Sequence, residues 1–151
     1  MPIVVLFDLG DTLVIPRLSE DGSLLGLDVL PFVPDVLAKL KRTNTNDAVL
    51  RLGVISNTKT ETLSEMRLVM AEAGLLDFFD PALLPFSSVE GVDKGQQQFF
   101  ELASQRAGVP EHCVYVGEDD AERRVAALAK LRTSYHSLHV FHVIDLMARG
   151  H

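Results

Sequence analysis

Cysteine is nearly absent from this sequence. Cys113 is the single one in 151 residues, so no internal disulfide can stabilise the fold. Its position in the apolar segment "HCVYVG" predicts a thiol buried in a strand. Because nothing here requires an oxidising compartment, we expect a cytoplasmic protein.

Long apolar runs and excess positive charge are missing as well. No stretch approaches the ~18 consecutive apolar residues of a membrane helix, and the first strand begins without a leader-like segment before it. The 14 Lys and Arg residues are outnumbered by 21 Asp and Glu residues, which gives a formal net charge of −7. We therefore expect neither a membrane nor a nucleic acid as partner.

The sequence is rich in hydrophobic residues, at 47% with eight Phe, so we predict one domain with one core over 1–151. The apolar spacing predicts strands at 3–7, 49–56, 82–88 and 113–117, and helices at 35–42, 60–74, 95–108 and 121–132. The segment 137–150 predicts a last strand running into a short helix. Strands alternating with helices predict a mainly parallel sheet covered on both faces.

Polar side chains stand where these strands end. Asp8 follows "IVVLF", and Ser56, Ser87 and Glu118 lie at or just beyond the ends of later strands. In a parallel sheet, ligands bind beyond the carboxyl ends of the strands, so these residues are candidates for one site. The pair Asp8 and Asp11 is compatible with an ordinary turn or with an active site.

Four segments, taken in order, carry a resemblance to a known family. They are "VVLFDLGDTL", "LGVISN", Lys94 in "SSVEGVDKGQQQFF", and "VYVGEDDAE". Together they cover most of the chain and resemble the four motifs of the haloacid dehalogenase superfamily. The resemblance implies an α/β, Rossmann-like three-layer sandwich and a magnesium-dependent phosphohydrolase.

The resemblance also implies roles for individual residues. Asp8 would be the nucleophile that forms an aspartyl-phosphate, and Thr12 would orient it. Ser56, with Asn57 beside it, would bind phosphoryl oxygens, and Lys94 would offset negative charge on Asp8 and the substrate.

A magnesium ion would neutralise the charge of the approaching phosphate. The resemblance implies that Asp8, the backbone carbonyl of Gly10, and Glu118 or Asp119 would hold it, because magnesium prefers oxygen ligands. Glu122, one helical turn later, could reach the metal region or lie in solvent.

Three departures from the family pattern support an alternative. The family's usual second Asp, a general acid and base, is Gly10 here, and Asp11 comes one residue late. Glu118 replaces the usual Asp, and Gly95 replaces the usual proline after Lys94. Either Asp11 supplies the missing acid, or the chain is a weak or inactive relative that acts as a binding or interaction module.

No segment is long enough for a cap domain. The segment 14–30 predicts only a flap hairpin that turns at Glu20–Ser23, and the chain between Thr60 and Ser87 is too short for a domain of ~50 residues. The resemblance then implies an open site that takes a phosphorylated small molecule or macromolecule, or one covered by a neighbouring subunit in an oligomer. A dehalogenase becomes less favoured.

Two other interpretations are weaker. A response-regulator-like phosphoacceptor should carry its phosphorylated Asp after a later strand, and none ends "LGVIS". His136, His139 and His142 recur every third residue, but on a strand this spacing alternates between faces and does not favour zinc.

Overall fold

The structure, a computed structural model, describes residues 2–42 and 49–150. The strands within these ranges are β1 (Pro2–Phe7), β2 (Val14–Leu18), β3 (Leu24–Val29), β4 (Val49–Val54), β5 (Cys113–Val116) and β6 (Arg132–Ser134). The α-helices are α1 (Val33–Arg42), α2 (Leu63–Glu72), α3 (Ser87–Glu90), α4 (Gln97–Ala107), α5 (Asp120–Leu128) and α6 (Val140–Ala148). No helix of the described residues has both the length and the apolar character needed to cross a bilayer.

The main sheet is parallel, with the strand order β4-β1-β5-β6. Side chains of β1 alternate between two apolar clusters: Ile3, Val5 and Phe7 pack with α1, α2 and α6, whereas Val4 and Leu6 pack with α4 and α5. The sheet is therefore covered on both faces, as the sequence predicts. Phe7 pairs with Val54 on one side and Val116 on the other, so three strands end at one level.

Helix ends follow local sequence signals. At the start of α2, the Thr62 hydroxyl accepts from the Glu65 N–H while the Glu65 carboxylate accepts from the Thr62 N–H. Helix α4 ends at Gly108, whose φ of 80° suits a residue without a side chain. Cys113 is buried at the start of β5 as predicted, and burial raises the pKa of its thiol to about 12.

The predicted strand at 82–88 is wrong. This segment runs beside β4, where Leu83 O accepts from Val54 N–H at 2.9 Å and Pro85 O accepts from Ser56 N–H at 3.2 Å. Only an isolated bridge between Ser56 and Phe86 forms, and the chain turns into α3 at Ser87. Pro85 has no N–H to donate, so the segment cannot continue a regular ladder.

The predicted C-terminal strand is also wrong. The strand in this region is β6, which pairs with β5, and the residues that follow form α6. The buried residues of α6 recur at helical spacing: Val140, Val143, Ile144 and Met147. The preceding helix ends at Leu128 and not at 132, and Lys130 adopts a positive φ of 73° before β6.

Strands β2 and β3 form an antiparallel hairpin that lies between β1 and α1. A short 3₁₀ turn (Leu76–Phe78) and α3 are the elements between α2 and α4. No inserted domain lies among the described residues at either place.

Candidate active site

Asp8 lies at the carboxyl edge of the sheet, directly after β1. Its N–H donates to Val116 O at 2.8 Å, which extends the pairing with β5 by one residue. Its Oδ1 accepts from the Leu9 N–H at 2.8 Å. The residue is 8% exposed, so its carboxylate is oriented by backbone and largely withdrawn from solvent.

Lys94 provides the countercharge. Its Nζ is 2.5 Å from Asp8 Oδ1, donates to the Tyr115 hydroxyl at 3.2 Å, and lies 3.4 Å from Glu122 Oε1. The Lys94 side chain is only 1% exposed. We call Asp8, Lys94, Tyr115 and Glu122 the charged cluster. A lysine buried this deeply needs such partners, because an unpaired ammonium in the interior is costly.

The loop that carries Lys94 is held by side chains of two other residues. The Lys94 N–H donates to Asn57 Oδ1 at 2.9 Å, and the Gly95 N–H donates to Asp93 Oδ1 at 2.8 Å. Asn57 therefore ties the end of β4 to the lysine loop. Its carbonyl oxygen is engaged in this bond, which gives Asn57 a positioning role that the sequence analysis did not foresee.

Burial and negative neighbours shift the pKa values in the cluster. Burial raises the pKa of Glu122, and the charge of Asp8 adds to this rise while Lys94 opposes it. Burial, followed by the charges of Asp8 and Glu122, raises the pKa of Tyr115, so its phenol stays protonated. A neutral hydroxyl can accept a hydrogen bond from Lys94.

Tyr115 is placed by its packing. Its ring meets Phe100 edge-on with centroids 5.0 Å apart. A Cβ at Gly117 would collide with the Tyr115 hydroxyl, so the glycine at this position leaves room for the ring end. In the sequence, Tyr115 resembles any other residue of a buried apolar strand. Its contact with Lys94 was therefore not predicted.

Ser56 and Thr12 also lie near the end of β1. Ile55 N–H donates to Phe7 O at 2.9 Å, so the pairing of β1 with β4 continues past Val54, and Ser56 follows one residue later. Ser56 is 7% exposed, and its hydroxyl makes only a long 3.4 Å contact to Asn57 O. The hydroxyl of Thr12 is buried and has no hydrogen-bond partner among the described residues.

Gly10 and Asp11 form the turn between Asp8 and the hairpin. A Cβ at Gly10 would meet the Pro16 ring at 4.0 Å, an ordinary contact, so a Cβ fits there. Asp11 has a positive φ of 62° and is exposed, and its N–H donates to Val14 O at 2.7 Å. Its carboxylate contacts no member of the charged cluster.

The acidic residues between 118 and 122, which follow β5, have different surroundings. Glu118 is exposed, and Asp119 caps α5 by accepting from the Glu122 N–H at 2.9 Å. Asp120 pairs with Arg124 at 2.7 Å on the exposed face of α5. Glu122 turns inward to Lys94, so it lies in the candidate site and not in solvent.

The donor set can be compared with what magnesium requires. No group of three or more His, Cys, Asp or Glu side chains in the described ranges is arranged to hold a metal. Magnesium, however, keeps several waters and needs only one or two protein carboxylates. Asp119 uses Oδ1 in its hydrogen bond with the Glu122 N–H, which leaves its Oδ2 for a cation. With Asp8 as a second carboxylate, the residues present can supply the one or two carboxylates that magnesium needs.

The three histidines lie between β6 and the first turn of α6. His136 stacks on Phe32, with ring centroids 5.2 Å apart. His139 stacks on Tyr135 at 4.5 Å, and its Nδ1 lies 2.8 Å from Ser134 Oγ. The expectation that they alternate across a strand is wrong because α6 begins at Val140. His136 Nδ1 also accepts from the Leu138 N–H at 3.0 Å, and the rings of His139 and His142 lie 5.9 Å apart.

Solved structures of other proteins share the fold of this chain. No family model matches the chain, and no curated protein matches it. An uncharacterized protein from Listeria monocytogenes serotype 4b superposes with a TM-score of 0.77 at 15% identity, covering 99% of both chains. A HAD-superfamily hydrolase of subfamily IA, variant 1, from Geobacter sulfurreducens PCA has a TM-score of 0.67 at 15% identity, covering 95% of this chain and 100% of that chain.

A third solved structure is similar. A HAD-superfamily hydrolase from Ehrlichia chaffeensis superposes with a TM-score of 0.66 at 11% identity, covering 94% of this chain and 95% of that chain. The protein therefore has the haloacid dehalogenase fold, and the α/β architecture implied by the resemblance is confirmed. The roles of the individual site residues stay predictions.

Proposed function

We propose that this protein hydrolyses phosphate monoesters in two steps, with Asp8 as the nucleophile and magnesium as the cofactor. The observation that carries the proposal is the contact between Asp8 Oδ1 and the buried Lys94 ammonium at the carboxyl edge of the sheet. A turn residue would not need a buried lysine brought from 86 positions away. The haloacid dehalogenase fold supports the same assignment.

The chemistry follows from the oxygens that Asp8 has available. Oδ1 is held by Lys94 and the Leu9 N–H, so Oδ2 is the oxygen left to attack phosphorus. A bond forms between that oxygen and phosphorus as the bond to the leaving oxygen breaks, and the leaving oxygen takes a proton. Water then attacks phosphorus, releases inorganic phosphate and restores the Asp8 carboxylate.

Lys94 and Ser56 would stabilise the transferred group. Lys94 offsets the charge that builds up between Asp8 and the phosphoryl oxygens, and Glu122 and Tyr115 hold its ammonium in place. The Ser56 hydroxyl, which makes only a long contact, is available to donate to a phosphoryl oxygen.

Magnesium would be held by Asp8, the Gly10 carbonyl, and Asp119 or Glu118, and would neutralise phosphate charge during attack. The charge of Asp119, and not that of Glu118, contributes to the raised pKa values of Tyr115 and Glu122, so we favour Asp119 as the second carboxylate. Gly10 has no side chain that could protonate the leaving oxygen. The proton must therefore come from Asp11 or from water.

The test is magnesium-dependent hydrolysis of a panel of phosphorylated small molecules and phosphopeptides. Wild type should release phosphate only with magnesium, and Asp8→Asn should abolish release. Asp35→Asn, an exposed position in the first turn of α1, is the matched control and should retain full activity. Intact-mass analysis after acid quench should detect one phosphoryl group on wild type and none on Asp8→Asn.

The absence of a side chain at Gly10 supports a second candidate, a binding module. In that case, magnesium and phosphate analogues would bind with a dependence on Asp8, but no ester would be hydrolysed. Calorimetry beside the activity panel separates the two: binding without phosphate release on any ester would favour the module over the enzyme.

A further inference from the structure

A pocket of about 180 Å³ lies beside Asp8, between the β2–β3 hairpin and the loop 56–61. Gly10, two residues after Asp8, and Ser56, just beyond the end of β4, both line it. Leu9, whose N–H orients the Asp8 carboxylate, lines it too. The pocket therefore opens next to the proposed nucleophile, although the charged cluster itself does not line it.

The hairpin supplies an apolar wall. Val14, Pro16 and Leu18 alternate along β2, so their side chains share one face of the hairpin. Leu24 and Leu27 of β3 lie on the same side, and the opposite wall includes Met66 from α2. The hairpin and Met66 therefore offer a ligand apolar contact, whereas the polar part of the lining comes from Ser56, Asn57, Thr58, Lys59 and Glu61 of the loop 56–61.

The loop 56–61 is already occupied by its own hydrogen bonds. The Thr58 N–H donates to Ser87 Oγ at 2.7 Å, and Thr58 Oγ1 accepts from the Ser88 N–H at 3.0 Å. Glu61 Oε2 accepts from the N–H groups of Lys59 and Thr60, at 2.9 and 3.2 Å. These bonds preform the wall, while the Ser56 hydroxyl makes only a long contact and the Lys59 ammonium lies beside Gly22 of the hairpin turn.

The volume of the pocket indicates the size of group that would fill it. Clefts that hold drug-sized ligands measure about 300–1,000 Å³, and an apolar cavity of about 150 Å³ in another protein accepts benzene. A pocket of about 180 Å³ therefore suits one six-membered ring. Ring hydroxyls placed against leucine and proline would lose their hydrogen bonds to water without replacement.

We propose that the pocket receives the leaving group of the substrate and selects small phosphate monoesters in which that group is a single apolar ring or an aliphatic group of similar size. This inference rests on the proposed function, because it places the phosphoryl group at Asp8. It goes further by excluding sugar phosphates and nucleotides as preferred substrates.

Two esters of matched reactivity test the selection. Cyclohexylmethyl phosphate and glucose 6-phosphate both carry a primary ester on a six-membered ring, but only the second carries ring hydroxyls. We expect kcat/KM to favour cyclohexylmethyl phosphate by about 100-fold, the scale on which pockets discriminate such groups. Equal rates, or a preference for glucose 6-phosphate, would overturn the proposal while leaving the hydrolase assignment intact.

Two exposed leucines of the hairpin offer a matched pair of variants. Leu18 lines the pocket and is 55% exposed, whereas Leu25 is 63% exposed and does not line it. Leu18→Ala should reduce the preference for cyclohexylmethyl phosphate by about 3- to 10-fold through lost apolar contact. Leu25→Ala should leave the preference unchanged, and equal effects of the two variants would count against the pocket.

A binding measurement tests the pocket independently of the proposed hydrolase activity. Cyclohexylmethylphosphonate has no ester bond to hydrolyse, so calorimetry in magnesium buffer measures its binding whether or not the protein is an enzyme. Binding that weakens in Leu18→Ala but not in Leu25→Ala supports the pocket even if every ester stays intact. No binding, or binding no tighter than that of methylphosphonate, would refute it.

Discussion

The charged cluster and the β2–β3 hairpin lie at the same edge of the sheet but are built in opposite ways. Asp8 and Lys94 are 86 positions apart and meet in the interior, where the lysine side chain is 1% exposed. Arg17 and Asp28 pair across the hairpin at 3.1 Å with side chains 60% and 62% exposed. The first pair depends on the whole fold, and the second needs only a turn.

The difference predicts which substitutions lower the free energy of unfolding most. An exposed ion pair contributes about 0–1 kcal/mol because water and salt screen it. Removing one partner of a buried pair costs about 3–5 kcal/mol because it strands the other charge. The charged cluster should therefore govern stability and chemistry, while the hairpin can vary and so tune which group it contacts.

The turn that joins the two regions should respond most strongly. The Cβ of Gly10→Asp would make an ordinary contact with Pro16, and its carboxyl group would restore a proton donor near the leaving oxygen. Turnover of a poor ester should rise by up to ~10²–10⁴, the usual contribution of a general acid. Steady-state kinetics should show a smaller gain for an activated ester, whose leaving group needs no proton.

Asp11→Asn is the companion variant. If Asp11 already acts as the acid, Gly10→Asp will do little and Asp11→Asn will abolish turnover of the poor ester alone. That result would show that our assignment of a missing acid is wrong.

Replacing the buried lysine should have the next largest effect. Lys94→Met leaves Asp8 and Glu122 without a countercharge, so the free energy of unfolding should fall by about 3–5 kcal/mol. Lys59→Met, an exposed lysine beside the hairpin turn, should change it by less than about 0.5 kcal/mol. Urea unfolding measures the free energy of unfolding of both variants. Similar losses for the two would contradict the claim that the buried ion pair matters more for stability than an exposed lysine.

The two tyrosines give a smaller test. Tyr115→Phe keeps the ring against Phe100 but removes the oxygen that accepts from Lys94. A hydrogen bond to a charged group contributes about 1.5–3 kcal/mol, and thermal unfolding should reveal a loss on that scale. Tyr135→Phe, at a 59% exposed position, is the control and should be nearly neutral. If Tyr115→Phe left the stability unchanged, the Tyr115 hydroxyl would not contribute to holding Lys94.

The smallest expected effects are opposite pH dependences of two carboxylates. Burial raises the pKa of Glu122, so its contribution to stability is complete below the ordinary value of 4.5 and is lost as pH rises through the folded pKa. Hydrogen bonds from Ser19 and Ser23 lower the pKa of Asp21 at the hairpin turn. Its contribution is complete above 3.8 and is lost as pH falls through the lowered pKa.

Carboxyl NMR titration measures both pKa values directly, and Glu122→Gln and Asp21→Asn assign the signals. A Glu122 signal that titrates below 4.5 would mean that Lys94 outweighs burial. The cluster would then be more open to water than its geometry indicates.

Much of the fold was predictable from local pattern. The apolar run before Asp8 predicts a central strand, and the spacing in 95–108 predicts α4 because one face of a helix must be buried. The failures have physical causes. Pro85 interrupts what reads as a strand at 82–88, and the short β6 carries no apolar alternation that would reveal it.

The candidate site was predictable where a residue type is unusual for its place. Asp8 after a buried strand and Lys94 in a motif stand out by sequence. Tyr115 does not, because an aromatic residue in a buried strand is ordinary. Glu122 on an amphipathic helix could equally have faced water, and only the packing of α5 turns it toward Lys94.

By itself, the sequence determined the alternation of strands and helices, the hairpin turn and the residue types after each strand, since these depend on local propensity and on which faces must be apolar. Tertiary structure alone decided that Lys94 reaches Asp8, that Tyr115 and Glu122 hold it, and that the hairpin encloses a pocket. Those contacts join residues far apart in the chain. They exist because the parallel sheet aligns the ends of β4, β1 and β5 and because burial forces each charge to find a partner.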